Sequence, residues 1–140
     1  NVIANNIDIA YYRKLRQGSD VYNKFNSIIK NTEVTTIGKI PKSYAFCSDT
    51  AYSESIIQII KNVNVLYHES TFLEKDKNLC EKTMHSTAKQ AAKIAKLASV
   101  EKLILGHFSS RYKDLNLFIQ EAQTVFNYVE LAEDGKIFNF

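Results

Sequence analysis

Three histidines (His68, His85, His107) and two carboxylates (Asp49, Glu69) fall within about sixty positions of a 140-residue chain. Most of them directly follow an apolar run. Ser48-Asp49-Thr50 comes after Tyr44–Cys47, His68-Glu69-Ser70-Thr71 after 63–67, and Gly106-His107 after 102–105. His85-Ser86-Thr87 sits just ahead of a long amphipathic stretch. Imidazole nitrogens with a carboxylate are the natural ligand set for zinc or a similar borderline metal. An Asp offers two oxygens with lone pairs in different directions, so it can bridge two cations. A metal pair held that way can carry hydroxide and stabilise a phosphoryl transition state.

These groups can cooperate only if the chain brings them to one place. From Tyr44 onward, short β-rich runs alternate with helical patterns, which predicts an α/β sheet covered by helices. Strands are expected at 44–47, 63–67 and 102–105, and closing strands at 128–131 and 136–140 around a turn at Asp134-Gly135. A short helix is expected over 53–61 with Ser53 as N-cap. In the helix expected over 86–98, Thr87, Ala91, Ile94, Ala95 and Ala98 share one face, with Lys89, Lys93 and Lys96 opposite. Leu115, Phe118, Ile119, Ala122, Val125 and Phe126 form the apolar stripe of another. Ligands of open α/β sheets bind beyond the carboxyl ends of the strands. Parallel strands would therefore gather Asp49, His68 or Glu69, and His107 at one edge, with His85 facing the same cleft. Residues 1–40, polar and Asn-rich, read as short strands and irregular structure, and the texture changes near Pro41.

Composition narrows the class. The hydrophobic share is 45% and the charged share 24%, which excludes intrinsic disorder. No apolar run approaches the roughly 18 residues that span a bilayer. Cys47 and Cys80 are too few for a disulfide scaffold, so reduced thiols in the cytoplasm are expected. The net charge of +3 tolerates an anionic partner without requiring one. On spacing alone the plainer readings stay open: Asp49 as a turn residue, each histidine as an ordinary satisfied side chain, Ser86 and Thr87 as helix caps, the lysines as a solvated face.

Four segments in this order resemble ribonuclease Z, the tRNA 3′-processing endonucleases of the metallo-β-lactamase superfamily. They are Ser48-Asp49-Thr50, His68-Glu69-Ser70-Thr71, His85-Ser86-Thr87-Ala88 and Gly106-His107-Phe108-Ser109-Ser110-Arg111-Tyr112. Arg13–Gly18 is similar to a Leu-Lys-x-Gly segment of that family. The resemblance implies that residues 1–140 form the C-terminal half of a metallo-β-lactamase-type αββα sandwich whose N-terminal half is missing. It implies two zinc ions per complete active site, with Asp49 bridging and His107 ligating. It also implies His85 as the group that donates a proton to, or stabilises, the leaving 3′-oxygen, Glu69 orienting it, and Ser109, Ser110 and Arg111 lining the substrate cleft. Ser70 stands where the family usually has Ala. The family's His-x-His-x-Asp-His cluster is not in this sequence, and the chain starts at Asn1 rather than Met, so a fragment of a longer enzyme is expected. The implied substrate is precursor tRNA, the implied assembly a homodimer, and the isolated chain is expected to be inactive. Two other readings stand beside it: another hydrolase of the superfamily, or an inactive folded half serving as a structural or interaction module. Half a sandwich should also leave apolar surface on strands 44–47, 63–67 and 102–105, either exposed or buried by self-association.

Overall fold

The computed structural model describes residues 2–3, 5–36, 38 and 40–139. Contacts divide the chain into Asn1–Ile40 and Pro41–Phe140, at the point where the sequence changes texture.

The first unit holds helix α1 (Tyr12–Arg16), an antiparallel pair β1 (Val21–Tyr22) and β2 (Ile28–Ile29), and helix α2 (Asn31–Val34). Ile7, Leu15 and Val21 make its small core. Helix α1 ends where Gly18 adopts φ +83°, a conformation that costs a residue without Cβ little. Asn31 ties the ends together: its amide donates to the Leu15 carbonyl at 2.7 Å, and its backbone N–H donates to Asp20 at 2.7 Å.

The second unit is a four-stranded parallel sheet in the order β3 (Tyr44–Cys47), β4 (Val65–Glu69), β5 (Lys102–Gly106), β6 (Val129–Leu131). Register pairs Cys47 with His68, His68 with Leu105, and Glu69 with Gly106, so β3, β4 and β5 end at nearly the same level. Between β4 and β5 run α3 (Lys77–Thr83) and α4 (Ala88–Leu97); α5 (Asn116–Gln123) precedes β6. Helix α4 starts in a capping box: the Thr87 hydroxyl accepts from Gln90 N–H, and the Gln90 side chain accepts from Thr87 N–H. Its Ala88, Ala91, Ala92, Ile94 and Ala95 are buried against the sheet with Leu66, Leu103, Leu105 and Phe118. Small side chains let the helix lie close to the strands.

Two expectations need correction, and one helix carries no sequence signal. Over 53–61 only a 3-10 turn, Glu54–Ile56, forms, and Ser53 makes no side-chain cap. Residues 136–139 form no strand; Phe140 lies outside the described residues. Helix α3 was not anticipated, because its sequence KNLCEKT carries too few apolar residues to show a period. Cys47 and Cys80 are free, and burial pushes the Cys80 thiol up to about 11.

The opposite sheet face has a different character. Phe46 and Tyr67 stack at 4.6 Å, and Tyr44 and Phe46 are exposed. With Ile104, Ala132 and Phe138 they line an open apolar groove of about 400 Å³. Tyr67 also explains Gly106: a Cβ there would collide with the phenol.

Candidate metal centre

Four loops meet at the carboxyl edge of the sheet, each held to the next through the backbone. Ser70 N–H and hydroxyl both donate to the Gly106 carbonyl, at 2.8 and 3.2 Å. Ser109 N–H donates to Thr71 O at 3.1 Å. Phe72 N–H donates to Ser86 O at 3.2 Å, and the Ser86 hydroxyl donates to Thr50 O at 2.7 Å. Ser70, Thr71, Ser86 and Thr87 are all buried, and their hydroxyls donate to Gly106 O, Glu69, Thr50 O and Glu74 respectively, so each is satisfied where strands turn into loops.

The side chains so placed converge. One donor atom from each of Asp49, His85 and His107 lies within 4.8 Å of the others. His107 Nε2 is 3.1 Å from Asp49 Oδ1, and the His85 and His107 rings are 5.0 Å apart. Asp49 and His107 take left-handed backbone conformations, φ 49° and 59°, as does Met84, which ends α3 just before His85. Such angles are uncommon outside glycine and gather at functional loops. Here they sharply turn the chain as it leaves β3 and β5. Asp49 is exposed and His85 is partly covered, so the cluster opens to solvent.

Behind it lies Glu69, fully buried. Its Oε1 accepts from His85 Nδ1 at 2.8 Å and from Thr50 N–H at 3.1 Å; its Oε2 accepts from Thr71 N–H at 3.0 Å and the Thr71 hydroxyl at 2.8 Å. The pairing of Glu69 with His85, sixteen positions apart, arises because β4 ends opposite the loop entering α4. His68 takes no part in the edge. Its side chain is buried, Nδ1 donates to Glu69 O at 2.7 Å, and Nε2 has no hydrogen-bond partner among the described residues. Burial pushes its pKa down. Of the two residues offered by the His68-Glu69 pair, only Glu69 faces the site.

Arg111 stands at the rim. Its Nε donates to Ser109 Oγ at 3.2 Å, and its guanidinium lies 5.1 Å from the Phe72 ring, which makes an edge contact with His85. Ser110 is exposed beside it. Tyr112 holds this loop from behind, its hydroxyl bonded to Asp76 and accepting from Leu73 N–H. Thr71 is a member of the site that spacing did not single out. Its hydroxyl bridges Glu69 and His107 Nδ1, at 2.8 and 2.9 Å.

The imidazole of His107 and the carboxylate of Asp49 are donors that zinc accepts, His85 stands beside them, and the hydrogen bonds behind them are the kind of outer shell that metal sites use. This α/β unit with its parallel sheet matches part of metallo-β-lactamase-fold proteins. The chain is similar to one of these, YhfI of Bacillus subtilis, at TM-score 0.61 and 27% identity, over 65% of this chain and 37% of that one. It is also similar to human tRNase Z, short form, at TM-score 0.50 and 27% identity, over 66% of this chain and 30% of that one. No family model matches the sequence.

The chain is homologous to ribonuclease Z. It is 47% identical over 121 residues to the enzyme of Porphyromonas gingivalis and 41% identical over 129 residues to that of Parabacteroides distasonis. These alignments take in 86% and 92% of this chain but 40% and 42% of the relatives, so the chain spans about two-fifths of their length.

Proposed function

We propose that these residues are part of a zinc-dependent endoribonuclease that removes 3′ trailers from precursor tRNA. The observation that carries this reading is the convergence of Asp49, His85 and His107 within 4.8 Å in a chain homologous to ribonuclease Z. Residues 1–140 are read as the C-terminal part of the αββα sandwich, with further metal ligands supplied by residues outside this sequence. Asp49 and His107 alone would not hold two zinc ions, since zinc takes three or four protein ligands. The complete protein is read as a cytoplasmic homodimer. No helix among the described residues is long and apolar enough to cross a membrane.

Asp49 would hold metal through its carboxylate, and His107 through Nε2. Zinc bound there would lower the pKa of water and neutralise charge on the phosphoryl oxygens. The remaining work falls to the protein's own groups. A ribose 3′-oxygen leaves with developing negative charge and needs a proton. His85 has its Nδ1 anchored on Glu69, which leaves Nε2 to carry that proton toward the cleft. Glu69 fixes the ring's orientation by accepting its Nδ1 proton. Arg111, exposed at the rim with Ser109 and Ser110, is placed to contact backbone phosphate, a contact that weakens with salt.

The test is cleavage of precursor tRNA by the longer protein. His85→Ala is expected to lower the rate by about 10²–10⁴-fold, the usual worth of a general acid. Asp49→Ala is expected to lose both metal, by elemental analysis, and activity. Normal cleavage by His85→Ala excludes its role; retention of two zinc ions by Asp49→Ala excludes the ligand assignment. A second reading is another hydrolase of the same fold, since the chain is also similar to YhfI, a metallo-β-lactamase-fold protein. Comparing precursor tRNA with a small phosphodiester as substrates separates the two.

A further inference from the structure

We propose that Thr71 is a positioning residue that fixes the tautomer of His107, so that one buried carboxylate, Glu69, governs both imidazoles of the cluster. The inference deepens the proposed function, since it rests on His107 serving as a ligand through Nε2.

The argument is a proton count. The Thr71 hydroxyl lies 2.8 Å from Glu69 Oε2 and 2.9 Å from His107 Nδ1. It has one proton to give, and a carboxylate only accepts. The proton therefore goes to Glu69, and the hydroxyl lone pair faces Nδ1. That contact is a hydrogen bond only if Nδ1 carries the ring proton, which leaves Nε2 as a bare lone pair. Nε2 is the atom 3.1 Å from Asp49 Oδ1. Two acceptors at that separation define a place for a cation. The same carboxylate acts directly on His85, whose Nδ1 donates to Oε1 at 2.8 Å. Both rings are thus held by their Nδ1 edge, with both Nε2 atoms free to face the cleft.

A competing arrangement exists. His107 could carry its proton on Nε2, donate to Asp49, and force Thr71 to turn its proton from Glu69 to Nδ1. The structure weighs against it. The Asp49 side chain is 71% exposed, where an ion pair or hydrogen bond competes with water, whereas Glu69 is fully buried and would lose one of its donors.

The test uses the chain without metal, at about pH 9, well above the ordinary imidazole value of about 6.5. Long-range proton–nitrogen correlation spectra of the histidine rings distinguish the two neutral tautomers. The expected result is Nδ1–H at both His85 and His107. Thr71→Val removes the hydroxyl with little change of shape; His107 should then move to Nε2–H with Asp49 as its acceptor, while His85 keeps Nδ1–H. Thr71→Ser should restore the original His107 pattern. An Nε2–H tautomer at His107 in the unmodified chain overturns the proposal without reference to any variant. So does an unchanged His107 tautomer in folded Thr71→Val. If the longer protein binds no zinc while His107 still shows Nδ1–H, the metal reading fails and only the tautomer assignment stands.

Discussion

Glu69 illustrates how a single residue couples stability to function. It accepts four hydrogen bonds inside the protein, all on one carboxylate. Glu69→Gln keeps the shape but supplies only one accepting oxygen, and its amide N–H2 must face two donors. A buried donor left unmatched costs about 1–3 kcal/mol, so the urea midpoint of the variant should fall accordingly, with the slope unchanged. His68 makes the complementary case. Burial depresses its pKa, so below the ordinary value of about 6.5 the unfolded chain takes up a proton that the folded chain resists. Its contribution is complete above about pH 6.5 and is lost as pH falls toward the lowered folded value. Stability measured in urea at about pH 7.5 and 5.5 should drop more for the native sequence than for His68→Asn; equal drops would exclude His68 as the source. Asp49, Glu69, His85 and His107 were visible in the sequence because each stands beside an apolar run or a helix start. Thr71 was not, because its partner His107 lies 36 positions away and only strand register brings them together.

The elements follow the strength of their patterns. Strands β3, β4 and β5 were legible because each is a short β-rich run ending in polar residues. Helix α4 was legible because five buried positions repeat at helical spacing and Thr87 and Gln90 form its cap. Where the pattern is thin, tertiary contacts decide. Alternation in KIFNF suggests a strand, yet residues 136–139 join no ladder, and Phe138 lies instead over the groove beside Tyr67. The closeness of α4 to the sheet gives the element-scale prediction. Ala91 is fully buried, so Ala91→Leu must push helix and strands apart, and overpacking of this kind costs about 1–3 kcal/mol. Thr87→Ala should cost about 1 kcal/mol from the lost cap, with some further loss because its hydroxyl also donates to Glu74 at 3.0 Å. Thermal melts of both variants check the values; a neutral Ala91→Leu would mean that the helix sits less tightly than its buried alanines indicate.

At the scale of the molecule, the second unit is a sheet with helices packed on one face and aromatic side chains open on the other. A sheet normally buries its second face against another layer, and contiguous exposed apolar patches are uncommon on self-sufficient proteins. Phe46 is 62% exposed at the end of the sheet, stacked on Tyr67 beside the groove that Phe138 borders. In the reading proposed above, this face is where the rest of the sandwich packs. The isolated 140-residue chain should therefore bind an environment-sensitive naphthalene sulfonate dye with a strong rise in emission. Phe46→Lys, which puts a charge at the centre of the stacked pair while leaving α4 and its core untouched, should remove most of that rise without lowering the melting temperature much. The longer protein, containing the same residues, should show little dye binding at the same molar concentration. Equal dye binding by the chain and the longer protein would mean that this face stays uncovered, and the half-sandwich reading would fail even if the metal cluster at the sheet edge proved correct.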